Sequence, residues 1–350
     1  MPRVTLQTIA DDLGVSRVTI SNAFNRPDQL SAELRERILT RTRELGFAGP
    51  DPLARGLRRG RAGAIGVLLD QGLSYAFADP AAVVQFDGLA SELSAGGIGL
   101  LLHAGEREHV DLVRGAAVDA WVVASLPSDA PHLRAAQASR RPLVVLDQPE
   151  LDGVPTVGID DAAGAALATR HLLDLGHRRL AVLTTALRPD GYQGLADAHR
   201  QRWATYLVSA RRLDGVRREV EAAGLPWKDV PVVECARNDL DSGALATWQL
   251  LDRGDQPTAV VTFSDQLALG ALRAAHELGV DVPGRLSVVG FDDAPPAATG
   301  QPPLTTVAQP LRERGRTAAA LALALARGEV VVSPPRLPLE LVVRDSTAPA

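Results

Sequence analysis

The sequence predicts an α/β protein that carries a small all-α head, and three observations point that way. Up to about Phe47 the chain is polar, with helical periodicity broken by short turns. Residues 48–63 cluster Pro and Gly, the punctuation of a linker. From Ala64 onward short apolar runs alternate with amphipathic stretches, the pattern of parallel sheets covered by helices.

In the head, Thr5 can cap a helix that runs through Leu13, and Gly14 supplies a turn. Ser16 then caps a second helix over residues 17–25. At the helical pitch, Arg17, Val18, Ser21, Asn22 and Asn25 share one arc of about 140°. Ile20, Ala23 and Phe24 fall on the other side, where Ile9, Ala10 and Leu13 can meet them. Ser31 caps a third helix that turns Leu34, Ile38 and Leu45 inward, with Gly46 as the residue after its end. This is a helix-turn-helix arrangement. Its outward arc is short-chained and polar, suited to base edges in a major groove.

In the body, buried strands are expected at Ile65–Leu69, Ile98–Leu102, Trp121–Ala124 and Leu143–Leu146. A second set follows at Leu180–Thr184, Val230–Val233, Ala259–Thr262 and Leu286–Phe291. Helices fit between them at Ala162–Leu175, Ser209–Ala223, Gly243–Leu251 and Asp265–Leu278. A late helix (Leu311–Ala326) and strand (Leu337–Val343) remain to be shared, and 188–208, with Pro189, Gly191 and Gly194, reads as a long loop. Two similar α/β halves therefore follow the head. The expected division is 1–48 for the helix-turn-helix domain, 49–62 for a hinge or linker and 63–345 for the two-lobed body. Lobe 1 would take about 63–158 and 293–326, and lobe 2 about 161–290 and 327–345.

Composition narrows the class. At 350 residues, two or three domains are expected, and 46% hydrophobic with 23% charged residues suits a soluble protein. No apolar run is long enough to span a bilayer, and the first residues have no apolar signal core. Cys235 has no partner, which fits a reducing cytoplasm. Charge is asymmetric: residues 1–61 hold eleven arginines and seven acids, net +4, which leaves −9 on the remainder of a chain of net −5. A basic head on an acidic body suggests a polyanion bound by the head alone. A phosphate-binding loop, a zinc-protease motif and a nucleophile elbow are all missing, and the sequence calls for no cofactor or metal.

Ordered motifs add a resemblance. Val4-Thr5-Leu6-Gln7-Thr8-Ile9-Ala10, the run Gly14–Asn25, Arg43-Glu44-Leu45-Gly46-Phe47 and Ala54-Arg55-Gly56-Leu57 together resemble the head of the LacI/GalR family. The likeness resumes at Ala64-Ile65-Gly66-Val67-Leu68 and continues through His171–Arg179, Ser264–Ala271, Ser287–Asp293 and Pro303–Gln309. It implies a periplasmic-binding-protein-like body that senses a small molecule between its lobes. The implied protein is a cytoplasmic homodimer that binds a palindromic double-stranded DNA operator, most simply as a repressor. In such proteins the segment matching 52–60 folds into a hinge helix on DNA. Leu57 matches a leucine that wedges into the minor groove, and Arg55 and Arg58 could reach phosphates. Thr5, Ser16 and Ser21 are placed to cap or touch phosphate, while Arg17, Val18 and Asn22 match the base readers; Asn25 shares their arc.

For the body the resemblance implies an effector, sugar-like or nucleoside- or purine-like, held by Asp292 and Arg212. Asp147, Ser264, Gln309 and Asn238 would line the same pocket, with Tyr75 and Phe77 as stacking aromatics. Where Ser264 stands the family often has asparagine, so bonding there is expected to differ. Two other readings share the body: an exported solute-binding protein, and a sugar-modifying enzyme with Asp147 as its base. The short tail Asp345–Ala350 has no coiled-coil pattern, which favours a dimer over a tetramer.

Overall fold

A computed structural model describes residues 4–47, 61–105 and 110–350. The chain divides into two compact units, one up to Gly63 and one from Ala64 to the end.

The head is three helices, α1 (Leu6–Leu13), α2 (Arg17–Asn25) and α3 (Ala32–Glu44), each started by a side chain. Thr5 Oγ1 accepts the Thr8 N–H at 3.2 Å, and Thr8 Oγ1 in turn accepts the Thr5 N–H, which closes a capping box. Ser16 and Ser31 accept the N–H groups of Thr19 and Leu34. Gly14 and Gly46 both sit at φ 66°, a left-handed conformation that costs glycine nothing and lets each helix stop sharply. Ile9, Ile20 and Ile38 are fully buried with Leu6, Ala10 and Ala23, and Leu13, Phe24, Leu34 and Leu45 pack around them. Each such isoleucine contributes roughly 1.5–3 kcal/mol by leaving water. The inward faces expected from periodicity are the faces that meet.

Lobe 1 of the body is a parallel five-stranded sheet in the order β2 (Gly99–His103), β1 (Ala64–Leu69), β3 (Ala120–Ala124), β4 (Leu143–Leu146), β5 (Thr156–Val157). Between these strands run α4 (Tyr75–Ala78), α5 (Pro80–Ala95), α6 (Val110–Gly115) and α7 (Pro131–Ala138). Leu89 and Leu93 of α5 cover one face, and Val113 and Leu133 of α6 and α7 the other. Covered on both sides, β3 is buried throughout, which explains why it reads as an unbroken apolar run.

Lobe 2 begins with α8 (Asp161–Asp174), β6 (Leu180–Thr184), β7 (Gly194–Leu195), α9 (Ala198–Arg202), α10 (Leu207–Ala222) and β8 (Val232–Glu234). It continues with α11 (Leu240–Leu251), β9 (Ala259–Thr262), α12 (Asp265–Glu277), β10 (Ser287–Asp292), α13 (Pro295–Thr299) and β11 (Thr305–Ala308). The chain then returns to lobe 1 as α14 (Leu311–Ala326) and ends in lobe 2 with β12 (Glu340–Val342). The seven-stranded sheet has the order β12-β11-β10-β9-β6-β8-β7, parallel except for β12 and β7 at its edges. Helices α8 and α10 cover one face, α11 and α12 the other. In lobe 1, α14 lies against α5 so closely that a Cβ on Gly88 would strike the Arg312 carbonyl and one on Gly315 that of Gln85.

Three expectations are corrected. Residues 293–308 belong to lobe 2, because β11 bonds in register to β10 (Val289↔Thr305 to Asp292↔Ala308) and to β12; of the late segment only α14 crosses back. Segment 188–208 is an ordered excursion holding β7 and α9, pinned by the buried Glu234. That carboxylate accepts the Leu187 N–H at 2.7 Å and Arg200 Nη2–H at 2.9 Å. The body also continues past 345: Ser346 is fully buried, donating to Val288 O at 2.6 Å and accepting the Thr305 N–H at 2.8 Å. His177 Nε2 lies 3.0 Å from the Ala348 carbonyl and His171 Nε2 3.0 Å from Thr347 Oγ1, so both histidines clasp the tail.

Candidate functional site

In the head, Arg17 and Val18 stand exposed at the start of α2, Val18 at 67% of its surface. An exposed valine beside an arginine is apolar surface that the three-helix core leaves uncovered. Asn22 is half-buried and donates to Gln29 Oε1 at 3.2 Å, so Gln29, unnoticed in the sequence, orients it. Asn25 turns back to Ser21, its Nδ2 donating to the carbonyl at 2.9 Å and to Oγ at 3.1 Å. Thr5 and Ser16 are engaged as caps. Bidentate Arg41–Asp12 bonds of 2.6 and 3.0 Å tie α3 to α1 and hold the Asp12 carboxyl below its usual range. The hinge residues Arg55, Leu57 and Arg58 lie outside the described residues.

In the body, the strand ends of the two lobes face each other across a cavity of about 430 Å³. Seven of the expected residues come together there from separate elements: Tyr75 on α4, Asp147 after β4, Arg212 on α10, Asn238 after β8, Ser264 after β9, Asp292 ending β10 and Gln309 after β11. Ligand sites at the carboxyl ends of parallel strands follow from this topology, since the chain must leave the sheet there.

The cavity floor is an ordered polar chain. Gln309 Nε2 donates to Asp292 Oδ1 at 2.5 Å, while Gln309 Oε1 accepts from Arg314. The other Arg314 amino group pairs with Asp147 Oδ1, and Ser125 Oγ donates to Asp147 Oδ2 at 3.1 Å. Arg212 is bracketed on three sides: Nε donates to Asp161 at 2.9 Å, Nη1 to the Phe263 carbonyl, and the guanidinium stacks 3.6 Å from the Phe291 ring centre. Ser125, Asp147 and Asp292 have φ of 58°, 73° and 127°, and each lines the cavity. Non-glycine residues held so cost about 1–3 kcal/mol each, a strain that clusters at ligand sites.

Burial pushes Asp292 well above the ordinary carboxylate range, reinforced by nearby Asp265 and opposed by Arg212. Asp265, buried beneath the same strand, is pushed up to about 7 by desolvation, against the bonds it accepts from Thr306 and Ala294 N–H. Arg314 is drawn down to about 10, also by burial.

Tyr75 lines the cavity, but its hydroxyl is engaged, donating to Asp79 at 2.5 Å and accepting from Asn238 at 3.2 Å. Phe77 is not in the lining and is 72% exposed. In a single turn of helix, positions two apart point about 200° from each other, so the two aromatics cannot share the cleft. Phe86, on α5, lines it instead. Asp70, Asp79, Gln148, Tyr206 and Arg314 are lining residues that the sequence reading missed. Only Asp79 left a signal, as an aspartate before Pro80 at a helix start, and that signal reads as a cap. Several of these join the lobes: Tyr206 donates to Asp70 at 2.5 Å, Asn238 to Asp79 at 3.2 Å, and the Val208 N–H to Gln148 at 2.9 Å.

The family of periplasmic binding protein-like domains matches residues 169–347. The HTH-type transcriptional regulator Rv3575c of Mycobacterium tuberculosis is 42% identical over 346 residues, 97% of this chain and 93% of that protein. A solved LacI-family transcriptional regulator from Corynebacterium glutamicum superposes with a TM-score of 0.76, 34% identity and complete coverage of both chains. The chain belongs to the LacI family. The lac repressor dimer bound to operator and the anti-inducer ONPF aligns with a TM-score of 0.77 and 28% identity over 99% of each chain. This LacI-family member is accordingly a DNA-binding transcriptional regulator and not an enzyme. No helix among the described residues is long and apolar enough to cross a membrane.

Proposed function

We propose that this regulator is a cytoplasmic repressor, a homodimer that places α2 of each copy in a major groove of a palindromic operator. A sugar-like or nucleoside-like effector in the cleft of the body sets its operator affinity. The observation that carries the reading is the cleft itself, a cavity lined by Asp79, Asp292 and two buried arginines, with strained backbone at Ser125, Asp147 and Asp292. Strained backbone at three lining residues costs stability, and such strain clusters at ligand sites. The exposed pair Arg17 and Val18, beside Asn22 oriented by Gln29, supports direct base reading. The lac repressor neighbour, solved as a dimer on operator with a small molecule, supports the dimer and the coupling of the two sites.

Operator affinity measured across a salt series, with the chain from Ala64 onward as control, tests the assignment. The full chain is expected to lose affinity linearly in log salt as arginines displace phosphate counterions. A flat series, or equal binding by the control, refutes it. Asp292→Ala is expected to keep operator binding and lose the effector response.

A further inference from the structure

We propose that Gln29 is a positioning residue for base reading: it ties Asn22 to a DNA phosphate and so fixes the amide that selects adenine. This rests on the reading of α2 as the helix that enters the major groove. The two asparagines of the outward arc differ in what they have left to offer. Asn25 spends its Nδ2 on the Ser21 carbonyl at 2.9 Å and the Ser21 hydroxyl at 3.1 Å, and its Oδ1 is buried. It presents no amide edge to a groove. Asn22 spends one Nδ2 hydrogen on Gln29 Oε1, at 3.2 Å. Its second N–H and its Oδ1 remain for a ligand. Adenine alone among the bases shows an acceptor beside a donor in the major groove, so a free N–H next to a free carbonyl oxygen matches it.

Gln29 is built to hold that amide still. It ends a single 3-10 turn, Pro27–Gln29, that follows α2 directly. The Arg26 N–H donates to the Asn22 carbonyl at 2.8 Å, the Gln29 N–H to Arg26 O at 3.0 Å and the Leu30 N–H to Pro27 O at 3.3 Å. The Pro27 ring restricts the backbone further, and Leu30 packs on the head core. The Gln29 backbone is thus fixed on both sides while its exposed side chain reaches back seven residues to α2. Among the described residues Gln29 Nε2 has no acceptor, so both its hydrogens are left for a phosphate oxygen at the groove edge. Phosphate contacts set position and base contacts set sequence; one hydrogen bond, Asn22 to Gln29, joins the two here. Pinning the amide lowers the cost of ordering it on DNA. It also stops Asn22 from exchanging donor and acceptor to suit another base, which raises specificity.

The test is a binding-site selection by the full chain on double-stranded DNA with a random core, followed by affinities for the recovered site and its single-base variants. Asn22→Ala is expected to lose an adenine preference at one base-pair position. Gln29→Lys removes the acceptor that holds Asn22 but keeps a donor for phosphate. It should weaken the same preference at least about threefold, leave other positions unchanged and bind random DNA no worse than wild type, which also shows that the head folds. Gln29→Glu keeps the acceptor and loses the donor, so it should retain the preference while binding all DNA more weakly. Asn22→Ala/Gln29→Lys should match Asn22→Ala at that position, because Gln29 acts through Asn22. An unchanged preference in Gln29→Lys, a shift at a different position, or a further loss in the double variant overturns the positioning role and leaves Asn22 as a reader. If Asn22→Ala alters no position, the base-reading assignment falls and the role of Gln29 with it.

Discussion

Replacing Arg212 with alanine should destabilise the body far more than it disturbs the surface, and the structure sets the size of the effect. The Arg212 and Asp161 side chains are 8% and 4% exposed, and their bond is 2.9 Å. Removing the guanidinium strands a buried carboxylate, which costs about 3–5 kcal/mol, and frees the Phe263 carbonyl from its donor. Removing both charges together, in Asp161→Leu/Arg212→Met, restores apolar contact without a stranded ion and should cost under about 2 kcal/mol. Urea unfolding followed by tryptophan fluorescence reads this directly, because all four tryptophans (121, 203, 227 and 248) belong to the body. A loss below about 1 kcal/mol for Arg212→Ala, the range of solvated pairs, would refute the buried-bracket picture. So would a double variant as unstable as the single one.

Other outcomes follow from the same contacts. Asn22→Ala should change the sequences recovered in a binding-site selection, by roughly 1–3 kcal/mol at the affected base pair; identical selections in variant and wild type would make Asn22 a packing residue. Ser346→Ala leaves the Thr305 N–H without its acceptor and should cost about 1–3 kcal/mol of body stability, read by thermal melting. Asp265 titrates near 7 in the fold against an ordinary 3.8, so the folded state holds the extra proton between those values and its stability falls as pH rises from about 4 to 7. Asp265→Asn should reduce that slope in melts run against pH, and Asp292, also raised by burial, keeps part of it. His177 runs the other way: its imidazole is held below 6.5 by burial, so stability is full above that value and declines as pH falls beneath it, when the unfolded chain takes up the proton first. His177→Gln should flatten that acid limb.

What was legible in the sequence is what local chemistry decides. The head could be read almost whole, since Thr5, Ser16 and Ser31 act on N–H groups three residues away and the inward arc repeats at the helical period. Most of the buried strands were legible too, because cover on both faces demands continuous apolar runs; the run Ile98–Leu102, expected to be buried, is instead the edge strand β2, whose residues are exposed or half-buried. Motif resemblance located Asp292, Arg212 and Gln309, which do meet in one cavity, yet it also nominated Phe77, which faces solvent.

The rest depended on which distant segments come together. The placement of 293–308 in lobe 2 rests on hydrogen bonds between β10 and β11, which no local pattern of a four-residue strand announces. Asp161 gains its role from an arginine fifty-one positions later, and Asp147 from one 167 positions later, so neither partner marks the other in sequence. The positive-φ turns at Ser125, Asp147 and Asp292 occur at residues that also fit ordinary turns and caps, and they are imposed where packed strands must turn toward a cavity. Residue type decides where helices start and which faces are apolar. The charge pairing at the cleft, Arg314 with Asp147 and Arg212 with Asp161, arises only from chain closure, because Coulomb interactions depend on distance in space and not on separation along the chain.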